Sequence, residues 1–373
     1  MTFLSLILKL WRNVNKRWRI MWGCDDELLN LQDMPYDLLL EILTRLPVKS
    51  LFRFKSVCKT WCYLIQDPIF IQRHSKQSKK AACLYLSVGK GYFRHIVAVN
   101  QQGATASICR MRSPCCPLQY CNGLICYSTF GTVSPRRTNL HVFNPTTGES
   151  TTLPTNSGYC IKFGLGYDES INKYKVVDVD SSPCLIFTLG EDSSWRPICS
   201  KPAVSVLPAE SIFVNGALHW NSDGVVISFD LKNEKFGAIT HPKKFTSSSW
   251  KYLLDCEGFL CMFCVDNNNY QLVFSLWMLK DYDTWVEWSF VLPDLPTKID
   301  MPEVVVLNGE ILTVSSYYCA RTYKRLHRLR YYLHSYNLQS RVSKKIEILD
   351  LPSHLNYVAA AYHEESLVSL RNV

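Results

Sequence analysis

The sequence predicts an α+β multidomain protein in which a small helical unit precedes a large all-β domain. Apolar residues between Met34 and Ile65 follow helical spacing. From Ala81 onward, short runs rich in Val, Ile, Tyr, Phe and Trp alternate with Gly, Asn, Asp, Pro and Ser, as in strands and turns. A glycine-centred unit also recurs along this second region. The chain has 373 residues, of which 47% are hydrophobic and 20% charged, so it is globular and long enough for two or three domains.

Residues 1–24 form a basic N-terminal extension. The first 20 residues carry five Lys or Arg and no acid, more than half of the net charge of +9. Drawn as a helix, residues 3–22 separate basic and apolar faces, a pattern typical of a helix lying on an anionic membrane surface. The apolar stretch 3–11 is too short to span a bilayer and lacks the features of a signal peptide. The alternatives are a disordered extension or translation from Met21.

The helical unit is predicted at residues 30–72. The first helix places apolar residues at 38, 39, 42, 43 and 46 along one side. Pro35 suits the first helical position, and Asp37 places a carboxylate in the first turn, where the helix dipole favours negative charge. Pro47 ends the helix. Two further helices follow, and Asp67-Pro68 stops the last of them.

Three short helices cannot bury so many apolar groups among themselves, because a unit of this size has too much surface for its volume. We therefore expect a partner to cover the remainder. Some of the apolar residues must belong to the unit's own core, and the sequence does not separate the two sets. The candidate partner-binding residues are Pro35, Leu38, Leu39, Ile42, Leu43, Leu46, Pro47, Val48, Leu51, Val57, Cys58 and Trp61.

This stretch resembles an F-box. The matching residues are Met34-Pro35-Tyr36-Asp37-Leu38, Glu41-Ile42-Leu43, Arg45 to Leu51, Arg53-Phe54-Lys55 and Val57-Cys58-Lys59-Thr60-Trp61. Met34 replaces the usual Leu, a volume-conserving change. The resemblance implies binding to a Skp-type adaptor and, through it, to the cullin and RING subunits of a ubiquitin ligase.

Residues 73–80 are basic, lack apolar periodicity and are predicted to be a linker to the β domain at 81–373. In that domain Gly123, Gly166, Gly216, Gly258 and Gly309 recur at intervals near the period of four-stranded propeller blades. Asn-Gly pairs at several of these positions supply the positive φ angles of tight hairpins. A second turn follows most of them, at 144–148, 230–233 and 337–340. The spacing predicts about six blades, with 82–86 and 357–361 sharing one blade and closing the ring.

The β domain resembles the F-box-associated domain of plant F-box proteins, a kelch-like propeller. The resemblance is carried by Cys121-Asn122-Gly123-Leu124, Asn144-Pro145-Thr146-Thr147-Gly148, Gly164-Leu165-Gly166-Tyr167-Asp168, Tyr174-Lys175-Val176-Val177, Leu276-Trp277-Met278-Leu279 and Trp285. It implies a non-catalytic substrate receptor that holds a target protein for ubiquitination and proteasomal degradation. We expect a cytoplasmic or nuclear location, since the 16 cysteines fit buried thiols in a reducing compartment.

Two other function classes stay open. Kelch-like folds also host oxidases and lectins, but the nine histidines are scattered and no phosphate loop or nucleophile elbow is present, so we expect no catalytic residues, no cofactor and no metal. Cys261 and Cys264 have ligand spacing without a second pair, which favours a strand interior. The basic, tyrosine-containing run 321–332 fits nucleic-acid binding or a solvated hairpin loop, and we favour the loop.

Overall fold

The computed structural model describes residues 36–57, 59–78, 83–90, 93–100, 102–112, 118–130, 138–155, 161–200, 202–204, 207–242, 250–268, 271–281, 284–290, 303–307, 309–319, 328–351 and 357–371. The chain divides after residue 78 into two compact units. The predicted extension at 1–24, together with Pro35 and Cys58, lies outside the described residues.

Four helices make up the described part of the first unit. They are α1 (Tyr36–Thr44), α2 (Val48–Phe54), α3 (Lys59–Gln66) and α4 (Pro68–Ser78). The first three match the prediction. Their apolar faces meet in a core where Leu43, Leu51 and Ile65 are fully buried, and the rings of Phe54 and Trp61 pack edge to face at 5.3 Å.

The fourth helix corrects the predicted linker, since residues 73–78 are helical. Asp67 caps this helix, because its Oδ1 accepts hydrogen bonds from the backbone N–H groups of Ile69 (2.7 Å) and Phe70 (3.1 Å). The Asp67-Pro68 pair thus ends one helix and begins the next. Phe70 is buried, and the His74 ring bonds through Nε2 to the carbonyl oxygen of Leu46 at 2.9 Å. Part of the apolar surface of α1 and α3 is therefore covered by the chain itself.

The second unit is a propeller of six four-stranded antiparallel sheets, as predicted. Blades 1 and 2 contain β1 (Cys83–Lys90), β2 (Phe93–Val99), β3 (Thr105–Arg112), β4 (Gln119–Cys121), β5 (Leu124–Phe130), β6 (Thr138–Phe143) and β7 (Ser150–Thr152). Blades 3 and 4 contain β8 (Phe163–Asp168), β9 (Lys173–Asp178), β10 (Leu185–Thr188), β11 (Arg196–Pro197), β12 (Ile212–Val214), β13 (Ala217–Ser222), β14 (Val225–Asp230) and β15 (Lys235–Thr240). Blades 5 and 6 contain β16 (Trp250–Cys256), β17 (Phe259–Asn268), β18 (Gln271–Asp281), β19 (Thr284–Phe290), β20 (Glu303–Leu307), β21 (Glu310–Cys319), β22 (Arg328–Asn337) and β23 (Ser343–Ile348).

The last strand, β24 (Tyr357–His363), closes the ring by joining blade 1. It pairs antiparallel with β1, with Tyr85 opposite Ala361, which confirms the predicted closure. The innermost strands contact each other in the order β4, β8, β12, β16, β20 and β24. The core is divided into apolar clusters that lie between neighbouring blades.

Most of the predicted hairpin corners are confirmed. Gly123, Gly216 and Gly258 have φ angles between 78° and 91° and each joins the first two strands of a blade. Gly166 is an exception, because it lies inside β8 and the corner of blade 3 falls at 169–172 instead. Blade 3 needs small residues in this strand, since a Cβ atom on Gly164 would lie 2.7 Å from Leu218 of blade 4.

Cys261 and Cys264 lie within β17, as the strand-interior interpretation predicted. Cys261 belongs to the cluster between blades 5 and 6, whereas Cys264 belongs to the cluster between blades 4 and 5. The two thiols therefore face opposite sides of the sheet, because side chains three apart in a strand point in opposite directions. Of the basic run 321–332, residues 321–327 lie outside the described residues, whereas residues 328–332 belong to β22, which pairs with β21.

Candidate functional site

The structure separates the predicted partner-binding residues into a core set and a surface set. The core set is Leu39, Ile42, Leu43, Leu46, Val48, Leu51 and Trp61, all buried within the helical unit. Leu38 is 44% exposed, Pro47 is exposed and Val57 is half-buried. These three lie at least partly on the surface of the described helical unit, while the core set packs beneath them.

Further apolar side chains on the helical unit are exposed although the sequence analysis did not select them. They are Tyr36 on α1, Tyr63 on α3 and Ile69 on α4. With Leu38 they make four of the eleven exposed large apolar side chains among the described residues, although this unit supplies under a quarter of those residues. Such an excess of exposed apolar surface is typical of a protein-binding unit.

A cavity of about 740 Å³ lies within the propeller. The innermost strands of blades 1, 2, 4, 5 and 6 contribute to its lining. Blade 2 and blade 4 also meet across it, because Ser211 Oγ donates to Gln119 Oε1 at 2.7 Å and Gln119 Nε2 donates to the carbonyl oxygen of Ala209 at 3.3 Å. Its volume falls within the ~300–1,000 Å³ typical of small-molecule pockets.

Polar and ionisable side chains interrupt the apolar lining. Carboxyl groups come from Glu210, Asp223, Asp255 and Glu364, and one amino group comes from Lys251. Asp255 is held in place, since its Oδ2 accepts a 2.9 Å hydrogen bond from Tyr362 and its Oδ1 accepts a 2.7 Å bond from Gly258 N–H. The carboxyl groups outnumber the amino group, so the lining favours positive charge.

Two histidines of the lining are enclosed and uncharged near neutral pH. Burial lowers the pKa of His219 to about 4, against the opposing effect of the Ile212 and Ala217 backbone, and burial lowers the pKa of His363 to about 4. The His363 ring also stacks on Tyr85 at 4.2 Å. Burial raises the pKa of Glu210, and the nearby Arg94 opposes the shift. Glu210 is nevertheless exposed, because the cavity that it lines is open to solvent.

Sequence analysis did not find this cavity. Its polar residues come from positions as distant as 119 and 364, and no local motif links them. The one available signal was a single histidine between apolar residues, as at His219 between Leu218 and Trp220 in β13. Among the described residues, no group of three or more His, Cys, Asp or Glu is arranged to hold a metal ion. No helix in the described parts of the chain is long and apolar enough to cross a membrane.

The fold and the helical unit define a class of protein: a short helical binding unit joined to a six-bladed propeller. Comparison with known families agrees with this class. Residues 31–73 match the F-box domain, and residues 70–369 match the F-box associated beta propeller domain.

Two individual relatives are plant proteins named as F-box proteins. The chain is 30% identical to "Putative F-box protein At4g21240" of Arabidopsis thaliana, covering 70% of this chain and 68% of that protein. It is also 30% identical to F-box protein At5g49610 of the same plant, covering 69% and 77%. TolB from Acinetobacter baumannii superposes with a TM-score of 0.47 at 11% identity, covering 79% of this chain and 72% of that one. The chain belongs to the family of plant F-box proteins with a C-terminal F-box-associated propeller.

Proposed function

We propose that this chain is a non-catalytic substrate receptor of a Skp-cullin-F-box ubiquitin ligase. The helical unit binds a Skp-type adaptor and, through it, the cullin and RING subunits. The propeller binds a target protein and holds it for ubiquitination and degradation. The contribution to the reaction is proximity, since tethering raises the effective concentration of the target near the ubiquitin-carrying enzyme.

The observation that carries this proposal is the exposed apolar surface on a unit that matches the F-box domain. Leu38 lies on the face of α1 that also carries Glu41 and Arg45, which form an ion pair one turn apart. An exposed leucine bordered by charged residues is typical of an interface with an apolar centre and a polar rim. We place adaptor binding at Leu38, Pro47 and Val57, with Tyr36 as a further contact.

The core set has a different role in the proposal. Ile42 is 3% exposed, so a charge at this position would disrupt the core of the helical unit before any partner is present. Leu39, Ile42, Leu43, Leu46, Val48, Leu51 and Trp61 therefore act by positioning the exposed contacts. We also place the protein in the cytoplasm or nucleus, and the free cysteines among the described residues are consistent with a reducing compartment.

Capture of a purified Skp-type adaptor by the full-length chain tests the proposal. Leu38→Glu should weaken capture at least about tenfold, because a charge would be forced into an apolar contact. Val342→Glu is the matched control, since Val342 is a 51% exposed aliphatic residue on the propeller. Equal capture by wild type and Leu38→Glu, or equal loss in the control, would contradict the proposed surface.

Target degradation needs a separate measurement. Proteins labelled in the neighbourhood of the wild-type chain should increase when the proteasome is inhibited. Leu38→Glu should still label the same proteins but should no longer change their half-lives. If their half-lives were the same with both chains, the receptor function would be excluded.

A further inference from the structure

We propose that the propeller cavity is a binding site for a cationic group, a guanidinium or ammonium carried by a compact ligand. This inference concerns the cavity alone and does not depend on adaptor binding by the helical unit. It rests on the volume of the cavity, the charge of its lining and the presence of buried polar atoms that lack partners among the described residues.

The lining carries an excess of negative charge in a half-open cavity. Four carboxyl groups, those of Glu210, Asp223, Asp255 and Glu364, line the cavity with a single lysine, and the charge of Arg94 acts on Glu210 from nearby. Charges that face a cavity with protein walls interact more strongly than charges on an open surface, because the effective dielectric constant is lower. A cation placed among them is therefore favoured over a neutral or anionic group of the same shape.

Unpartnered polar atoms provide the second, independent observation. His219 and His363 are only 7% and 3% exposed, and His219 Nδ1 and His363 Nε2 have no hydrogen-bond partner among the described residues. Asn221 Nδ2 donates to the carbonyl oxygen of Lys251 at 2.9 Å, whereas Asn221 Oδ1 is buried without a partner. Unpaired polar atoms of this kind cost free energy unless a ligand or water satisfies them.

The chemistry of these atoms indicates the kind of ligand. An amide oxygen accepts hydrogen bonds and cannot donate them, and carboxylates are also acceptors. A ligand rich in N–H donors satisfies both, and guanidinium and ammonium groups carry donors with no acceptor. The apolar stretch of the lining, which includes Val304, Val305 and Val306, suits the carbon chain of such a ligand.

Such a cation has two sources, a free small molecule or an arginine or lysine side chain of a target protein. Titration calorimetry on the full-length chain distinguishes them with butylguanidine and with a blocked tripeptide, acetyl-Gly-Arg-Gly-amide. Both probes carry one guanidinium group and a single positive charge. Tighter binding of butylguanidine assigns the site to a free cation, and tighter binding of the tripeptide assigns it to a target side chain.

Three comparisons make the test decisive. Butylguanidine at up to ~10 mM should bind, a range that includes dissociation constants near ~1 mM, while its neutral analogue butylurea should not. Asp255→Asn and Glu210→Gln should each weaken binding about tenfold, because each removes one charge-assisted contact or attraction. The Glu191→Gln variant should bind the cationic probe as tightly as the wild type does, since Glu191 lies outside the cavity on an exposed turn of blade 3.

Several results would overturn the proposal. These are no heat of binding from either cationic probe, equal binding of butylurea, or equal weakening by Glu191→Gln and the cavity variants. Thermal unfolding of each variant establishes that the fold is retained. Adaptor capture by the same variants should be unchanged, so failure of the cavity proposal and failure of the receptor proposal give different results.

Discussion

Lys175 Nζ donates a 2.9 Å hydrogen bond to Asp168 Oδ2, and the two side chains are only 5% and 3% exposed. The same ammonium group donates to the carbonyl oxygen of Leu231 at 2.7 Å and to Glu234 Oε1 at 3.0 Å. Asp168 and Lys175 belong to blade 3, whereas Leu231 and Glu234 belong to blade 4. Arg196 extends the network, because it donates to Glu234 at 3.1 Å and to Asp192 at 3.0 Å. A buried lysine therefore joins two neighbouring blades.

Removing this lysine should be strongly destabilising. Lys175→Met leaves the buried Asp168 carboxylate without its cation and leaves Glu234 with Arg196 alone, so we expect the free energy of unfolding to fall by about 3 kcal/mol or more. Lys173→Met is the matched control, since Lys173 is on the same strand and its exposed ion pair with Glu191 spans 4.0 Å. Lys173→Met should lower the free energy of unfolding by less than about 1 kcal/mol. Urea unfolding of both variants measures the difference, and equal losses would show that the network does not stabilise the blade interface.

Acid should destabilise the propeller in a window set by its buried histidines. The pKa of His219 and of His363 is about 4 in the folded protein, against about 6.5 when unfolded. Between these values the unfolded chain binds protons that the folded chain does not, so stability falls as pH falls from 6.5 toward 4. Each histidine contributes up to about 3 kcal/mol of this loss.

The double variant His219→Gln/His363→Gln isolates this effect. Its free energy of unfolding should change less between pH 7 and pH 4.5 than that of wild type, while Lys173→Met should follow the wild-type profile. An unchanged pH dependence in the double variant would contradict the assignment.

The carboxyl groups of Asp168 and Glu234 affect stability at lower pH. Burial acts to raise the pKa of each carboxyl group, but hydrogen bonds outweigh this effect and lower both pKa values. The donors are Ser170 and Lys175 for Asp168, and Arg196 and Lys175 for Glu234. Their stabilisation is lost only below about pH 4, the pKa range of unfolded carboxyl groups.

Two hairpin glycines with nearly the same backbone conformation should respond differently to alanine. Gly123 and Gly216 have φ angles of 78° and 80°. Gly216→Ala should cost about 1 kcal/mol, since a Cβ atom there meets open space and only backbone strain opposes it. Gly123→Ala should cost at least ~1 kcal/mol more, because its Cβ atom would lie 2.5 Å from Ser366 Cβ and 2.6 Å from the Glu364 carbonyl oxygen. Chemical denaturation compares the two, and equal costs would exclude close packing of the C-terminal segment on this turn.

The C-terminal segment beyond β24 should depend on one buried side chain. Asn144 Nδ2 donates to the carbonyl oxygens of Ser366 (3.0 Å) and Val368 (2.8 Å), and Asn144 Oδ1 accepts from the N–H of Thr146 at 2.9 Å. Asn144→Ala removes all of these bonds, and we expect a loss of about 2–3 kcal/mol with faster hydrogen exchange at residues 366–370.

Asn337→Ala is the control for this effect. Asn337 Oδ1 also organises a turn, accepting from the N–H of Ser340 at 2.8 Å, but that turn lies between β22 and β23. Its loss should weaken only the local turn and should leave exchange at residues 366–370 unchanged. Faster exchange there in both variants would mean that general destabilisation, and not the Asn144 anchor, is responsible.

Much of the fold was predictable because its signals are local. The stripe from Leu38 to Leu46 defines α1, and the Asn-Gly pairs at 122–123 and 215–216 define hairpin turns within a few residues. The repeat of these turns gave the number of blades and the closure by β24. Two features were not predicted because tertiary packing decides them. Leucines of blade 4 require glycine inside β8, and the helical core holds Phe70 and His74 in α4, which extends into the stretch predicted as a linker.

The sequence by itself determined the F-box resemblance, the order of the two units and the blade repeat, since each follows from residues close together in the chain. Only the tertiary structure decided which F-box residues are core and which remain exposed. Helical periodicity predicts one apolar face of a helix, but it does not predict which residues on that face are covered by other helices. It also decided the cavity and the Lys175 network, whose members lie far apart in sequence. Lys175 and Glu234 are separated by 59 positions, and only the packing of blade 3 against blade 4 brings their charges to 3.0 Å.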